Sequence, residues 1–263
     1  MRPDVPVARW RGHDVSGPDK APERIAGMFD AIAPRYDLLN HLLSAGIDRR
    51  WRARAIRSLH LSGRETLLDV CTGTADVALE SRRTNAAVAS GSARVLGVDF
   101  AGAMLRHGVR KVKAANESAT VLLAQGDATR LPVRTGSVDA ATVAFGIRNV
   151  QQPDAACREM ARALRAGGRL AILEFGVPQI PGLRSLYLWY FTHVLPKIGQ
   201  LISGHDAAYT YLPASVGSFQ SPAAFVTMLR NAGFEDVRAV PLTFGIVYLY
   251  TAVRQAGSAP ADV

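Results

Sequence analysis

The sequence predicts an α/β protein built on a mostly parallel sheet with helices on both faces, and three observations predict it. The stretch LLDVCTGTAD, Leu67 to Asp76, reads as a buried strand, a tight turn of small residues and the opening of a helix. A second apolar run, VLGVDF from Val95 to Phe100, follows a helical segment and a polar loop (Ser90-Gly91-Ser92) and ends with Asp99. Beyond it, strand-like and helix-like runs keep alternating, the order that a parallel sheet needs because each crossover is made by a helix.

The elements follow in order. Residues 1–23 are rich in Pro, Gly and charge and lack periodicity, so they are expected to be a loosely ordered tail, and they carry no apolar run of a secretory signal. A single domain is expected over 24–254, with 255–263 as a second tail; a chain of 263 residues can bury a full core as one unit. Ile25, Met28, Phe29 and Ile32 recur at helical spacing until Pro34 interrupts them. Leu38, Leu39, Leu42 and Leu43, then Trp51, Ala55, Ile56 and Leu59, continue the pattern, which makes 24–62 a helical lid. Val121 to Ala124 and Val138 to Phe145 are the third and fourth strands. Pro153 opens a helix to Arg165, Asp154 sits in its first turn, Gly167-Gly168 stops it, and Gly168 to Phe175 is the fifth strand.

Residues 178–220 then form an insertion that a minimal α/β sheet does not contain. Its centre is strongly apolar, yet Pro181, Arg184, Pro196 and Lys197 interrupt it and argue against a clean membrane span. A helix lining a greasy pocket or resting at a bilayer interface fits better, and a helical hairpin packed on its own core is the plainer alternative. Ser221-Pro222 opens the last helix, Gly233 ends it, and strands over 237–240 and 244–253 close the chain.

The formal net charge of +9 and a pI near 10.1 point to an anionic partner, nucleic acid or membrane surface. The run Arg49, Arg50, Arg52, Arg54, Arg57 has no aromatic residues interleaved for base stacking and reads as a solvated helix face, so no nucleic acid is expected. Cys71 and Cys157 are the only cysteines and form no CxxC pair. Neither a disulfide framework nor a zinc site is indicated, no metal is expected, and a reducing cytoplasm is the default.

Thr72-Gly73-Thr74-Ala75 would let a ligand approach backbone N–H groups, and Asp99 at the tip of the second strand is placed to accept hydrogen bonds from ribose hydroxyls. A lone Gly73 falls short of the dinucleotide glycine fingerprint, which argues against a nicotinamide enzyme. Tyr36-Asp37 with Asn40 and His41, and His205-Asp206 with Tyr209 and Tyr211, place phenols, carboxylates and imidazoles together where proton transfer or ring orientation is feasible, although packing and capping explain the same residues. Arg148 and Asn149 follow the fourth strand and offer donors at the reacting end; an arginine whose pKa exceeds about 12 serves to orient or to stabilise an anion rather than as a base. Glu174 at the end of the fifth strand reads equally as a base or as a loop cap.

Taken together, LLDVCTGTAD, VLGVDFAGAML (95–105), GDATRLPV (126–133) and AFGIRNV (144–150) resemble the class I S-adenosylmethionine-dependent methyltransferases. MFDAIAPRYDLLNHLLSAGIDRRWR (28–52) and YTYLPASVGSF (209–219) narrow the resemblance to the quinone C-methyltransferases of menaquinone and ubiquinone synthesis, over about 25–254. The form CTGTAD leans toward the demethylmenaquinone branch, and Ala144 stands where many members carry a serine. The resemblance implies a Rossmann-like seven-stranded sheet with its last strand antiparallel. It implies S-adenosyl-L-methionine held by Asp69, Thr74, Asp99, Asp127 and Ala128, with the Asp127 carboxylate accepting from the adenine amine. The implied substrate side is Arg148, Asn149, Tyr36, His205 and Tyr209. The implied reaction is C-methylation of a polyprenyl quinol, foremost demethylmenaquinol, with the ubiquinone-pathway benzoquinol beside it; another small-molecule acceptor is the alternative. The expected setting is the cytoplasm, with peripheral attachment to the inner face of the cytoplasmic membrane, and a homodimer is compatible with it.

Overall fold

A computed structural model describes residues 20–33, 36–37, 41, 44, 46–84, 92–194 and 206–256. One seven-stranded sheet runs through it in the order β3-β2-β1-β4-β5-β7-β6. The strands are β1 Thr66–Val70, β2 Arg94–Asp99, β3 Val121–Gln125, β4 Val138–Ala144, β5 Leu164–Phe175, β6 Phe234–Leu242 and β7 Val247–Arg254. The first five pair in parallel, whereas β7 lies antiparallel between β5 and β6, as the family resemblance implied.

Helices cover both faces, which is why the central strands are apolar at successive positions rather than at alternate ones. Leu68, Val70, Ala141, Val143 and Ile172 share a core with Met160 of α5 (Pro153–Ala163) and Phe225 of α8 (Pro222–Asn231). On the other face Leu67, Ala140, Ala171 and Leu173 meet α2 (Asp48–Ser58) through Trp51, Ala55 and Ile56, and α3 (Asp76–Thr84) through Val77 and Leu79. Helix α4 (Gly102–Ala114) flanks β3, and α1 (Pro22–Ile32) packs on α4 at the amino-terminal edge. The insertion contributes α6 (Pro181–Trp189), a wider helical turn over Tyr190–Val194 and α7 (Asp206–Ser218). Among the described residues no helix is long and apolar enough to cross a membrane.

Several boundaries move from their expected places for identifiable reasons. The helix expected to reach Arg165 ends at Ala163, because Leu164 is already extended and pairs with Val138. Gly167 is therefore not a helix stop; with φ at +72° it turns an irregularity inside β5, across which the register against β4 shifts. The final strand starts at Val247 rather than Phe244, since Thr243–Gly245 make a short 3-10 turn. The arginine run of α2 is solvated at Arg49, Arg50, Arg54 and Arg57, but Arg52 is buried and bonds Asp48 at 2.5 Å. Pro34, Leu38, Leu39, Asn40, Leu42 and Leu43 lie outside the described residues.

The strand order reverses between β1, whose crossover leads outward to β2 and β3, and β4, whose crossover leads to the other half of the sheet. The two chains therefore leave their strands in opposite directions and open a crevice at the carboxyl ends. The turns that achieve this are sharp: Cys71 (φ 55°) directly follows β1 and Phe145 (φ 61°) directly follows β4, both left-handed at non-glycine residues. Such backbone costs about 1–3 kcal/mol per residue and persists only where the surroundings impose it. Gly146 is the point of closest approach, for a Cβ there would fall 2.3 Å from the Cβ of Cys71. Gly146→Ala is accordingly expected to destabilise the fold by about 1–3 kcal/mol, read as a lowered midpoint in thermal unfolding; an unchanged midpoint would show that the two turns do not abut.

Candidate functional site

At the mouth of the crevice β2 delivers Asp99, only 8% exposed, with both carboxylate oxygens held by backbone. The Gly73 N–H donates to its Oδ2 at 2.8 Å and the Ala101 N–H to its Oδ1 at 2.9 Å. Burial raises the Asp99 pKa, and these N–H bonds pull against it. Asp99 lines the cavity, and a carboxylate whose oxygens each accept one such bond retains acceptor capacity for a vicinal diol. Gly73 has φ at +55°, so the turn after β1 reaches this bond in a conformation glycine adopts without strain.

The cavity there has a volume of about 440 Å³. Gly73, Asp99, Phe100, Met104, Asp127 and Ala128 line it, as do Tyr36, Phe145, Asn149, Gln151 and Gln152. The donor set suits S-adenosylmethionine: a diol acceptor in Asp99, apolar surface in Phe100 and Met104 for a purine, and a carboxylate in Asp127 for an exocyclic amine. Asp127 also closes its own turn, its Oδ1 accepting from the Thr129 N–H at 2.8 Å. Among the described residues no cluster of His, Cys, Asp and Glu is arranged to hold a metal.

Of the ten residues expected from the sequence, Asp99, Asp127, Ala128, Tyr36 and Asn149 meet around this one cavity. Asp69, Thr74 and Arg148 stand behind it. Asp69, 1% exposed, accepts from the Thr72 hydroxyl at 2.6 Å, and its other oxygen is buried without a partner. Burial, with the Asp99 charge adding to it, pushes its pKa up to about 7. Thr74 donates to Asp37 at 2.5 Å, and Lys111 of α4 pairs with Asp37 at 2.5 Å and with Asp76. The cofactor-side turn is thereby clamped to the lid. His205 lies outside the described residues, and Tyr209 falls on α7 with its side chain likewise outside them.

Arg148 is the centre of a second buried cluster. Its guanidinium bonds Glu174 at 2.8 Å, the Phe145 carbonyl and the Ser215 hydroxyl at 3.3 Å, and lies 5.2 Å from the centre of the Phe175 ring. Glu174 is fully buried and also accepts the N–H groups of Arg148 at 3.2 Å and Phe175 at 2.8 Å. Its loop-capping reading therefore describes its contacts, and losing either charge would leave the other buried and unpaired at about 3–5 kcal/mol. Trp51 touches Phe145 at 6.1 Å between centroids and Phe145 touches Phe175 at 4.6 Å, so an aromatic wall backs the substrate side.

Lys20 escaped the sequence reading, and Tyr211, named there with His205, Asp206 and Tyr209, is not part of the substrate-side set. Lys20 reaches the wall from ahead of α1, and burial followed by the charge of Arg148 lowers its pKa while Glu174 opposes them. A lone lysine in a polar segment gives no signal. Tyr211, beside the chosen Tyr209, donates to Asn149 Oδ1 at 3.1 Å. Its i, i+4 spacing to Ser215 was the signal that could have singled it out.

Residues 18–254 match the ubiE/COQ5 methyltransferase family. A ubiquinone/menaquinone biosynthesis C-methyltransferase of Syntrophotalea carbinolica is 49% identical over 235 residues, covering 89% of this chain and 94% of its own. The demethylmenaquinone methyltransferase of Thermus thermophilus is 43% identical over 227 residues, 86% of this chain and 100% of its own. Among solved structures, a SAM-dependent methyltransferase from Aquifex aeolicus superposes with a TM-score of 0.55 at 17% identity, over 77% of this chain and 88% of that one, a likeness of fold.

Asp69 yields a pH prediction. An ordinary aspartate titrates near 4, whereas the folded value is about 7. Between these the native state binds the extra proton, so the group's contribution to stability falls as pH rises through that window. The unfolding midpoint of Asp69→Asn should therefore gain on that of the unsubstituted protein from about pH 4 to pH 7 and then level off. A constant difference would mean that Asp69 ionises like an exposed carboxylate.

Proposed function

Because the chain belongs to the ubiE/COQ5 methyltransferase family, we propose that the cavity at the β1/β4 crevice is where it methylates a ring carbon of a polyprenyl quinol. The protein is an S-adenosylmethionine-dependent C-methyltransferase of quinone biosynthesis. The observation that carries the proposal is that one cavity joins the carboxylate and apolar groups suited to the cofactor with the amides and aromatic rings suited to a hydroquinol. S-adenosylmethionine supplies a methyl group already activated on a sulfonium, and what the chain must add is position, dryness and a place for the phenolic proton.

In this reading Asp99 takes the ribose hydroxyls, Asp127 the adenine amine and Ala128 the ring edge, with Gly73 giving backbone access. Asp69 and Thr74 act from behind, by shaping the turn that carries Gly73. On the acceptor side Asn149 and Tyr36 meet the ring, Phe145 backs it, and Arg148 fixes the loop that presents Asn149. His205 and Tyr209 remain proposed acceptor-side residues. Lys20 lines the cavity wall as well, its pKa lowered by burial and by the charge of Arg148.

The naphthoquinol head group is favoured, because the Thermus thermophilus relative, matched over its whole length, is a demethylmenaquinone methyltransferase. Peripheral attachment to a membrane is proposed as well. A polyprenyl substrate resides in the bilayer, the net charge is +9, and Ile180, Leu186 and Trp189 of the insertion are exposed.

Methyl transfer from labelled S-adenosylmethionine to short-tailed demethylmenaquinol and, separately, to a methoxy-benzoquinol tests the reading. Label in the naphthoquinol is the expected result, and label in both would make the enzyme common to two pathways. If neither is labelled while S-adenosylhomocysteine still binds, the quinol assignment is wrong.

A further inference from the structure

We infer that Tyr211 is a positioning residue for acceptor recognition, its hydroxyl fixing the Asn149 amide so that an Nδ2–H donor faces a phenolic oxygen of the hydroquinol in the cavity. The inference rests on the proposed quinol reading and adds to it the residue that sets the donor's direction.

The geometry begins on α7. Tyr211 and Ser215 are one turn apart and project from the same side of the helix. They meet consecutive residues of the loop after β4: the Tyr211 hydroxyl donates to Asn149 Oδ1 at 3.1 Å, and Ser215 Oγ accepts from Arg148 Nε at 3.3 Å. Ser215 is fully buried, and Arg148 is anchored independently by Glu174 and by the Phe145 carbonyl. The helix therefore sits in one register over the loop, and Tyr211 has one place to go.

An asparagine amide in a cavity wall is ambiguous, because turning it by 180° exchanges its acceptor for its donors. The Phe145 carbonyl removes the ambiguity, because it can only accept and so takes an Nδ2–H, at 3.5 Å, whereas a phenol alone could face either edge. With Nδ2 set on that edge, the Tyr211 hydroxyl donates to Oδ1 and holds the plane of the amide. The second Nδ2–H is then the donor left for the cavity that Asn149 lines. Burial raises the Tyr211 pKa, an effect that Arg148 opposes and Glu174 reinforces, so the phenol keeps its proton and stays a donor at neutral pH. A donor at this edge suits a hydroquinol oxygen as it takes on negative charge when its proton leaves.

The test is steady-state kinetics with a short-tailed demethylmenaquinol, with S-adenosylhomocysteine affinity and the unfolding midpoint measured in parallel. Tyr211→Phe keeps the ring and removes only the hydroxyl. It should raise KM for the quinol roughly tenfold, the scale of one hydrogen bond lost to a buried polar partner, with a smaller change in kcat and none in cofactor affinity. Because Tyr211 acts through Asn149, adding Tyr211→Phe to Asn149→Ala should leave that variant no worse than it already is. An unchanged KM in Tyr211→Phe, or losses that multiply in the double variant, would overturn the inference while leaving the quinol reading intact. An unsubstituted enzyme that binds S-adenosylhomocysteine but methylates no quinol would overturn the quinol reading, and this inference with it.

Discussion

The constraint on which the site depends is the divergence of two neighbouring parallel strands. Strands β1 and β4 lie side by side, yet their crossovers leave toward opposite halves of the sheet, so no helix fills the space above their carboxyl ends. Everything functional in the molecule hangs from the turns that bound this space. Cys71 and Phe145 take left-handed backbone to make them, and Gly146 supplies the clearance that lets the turns touch. The crevice is thus a product of topology, and the residues around it give it chemistry.

That chemistry is held by pairing buried charge with fixed donors. Asp99 is kept in place by two backbone N–H groups, Arg148 and Glu174 by each other, and the lid by Asp37 between Thr74 and Lys111. Each arrangement ties a group near the cavity to a different element: β2 to the turn after β1, β4 to β5 and the insertion, the lid to α4. The same bonds that satisfy buried polar groups therefore also register the lid and the insertion over the sheet. Asp69 is the exception, with one oxygen unpartnered and its pKa pushed up to about 7 by burial.

Much of this was legible in the sequence. The runs Leu67–Val70 and Val95–Asp99 announce buried strands, because apolar residues stand at neighbouring positions in each, followed by a turn of small residues after the first and closed by Asp99 in the second. Asp99 could be assigned because a strand places its last residue at a predictable spot. Arg148 could be located beside the site but not given its contacts, since Glu174 and Ser215 are 26 and 67 residues away in the chain. Lys20 and Phe145 were illegible for a different reason: their place in the wall is set by tertiary packing and by an unusual backbone angle, neither of which periodicity encodes. The misplaced stop at Gly167 shows the limit of glycine as punctuation, for the same residue that ends helices also turns bulges within strands.

The central claim is that cofactor and acceptor share the crevice between β1 and β4. The most direct measurement is a crystal structure of the protein grown with S-adenosylhomocysteine. The account predicts ribose hydroxyls on the Asp99 carboxylate, adenine between Phe100 and Ala128 near Asp127, and the sulfur directed toward Asn149 and Phe145. A nucleoside bound anywhere else, or bound here with its sulfur turned away from Asn149, would contradict it.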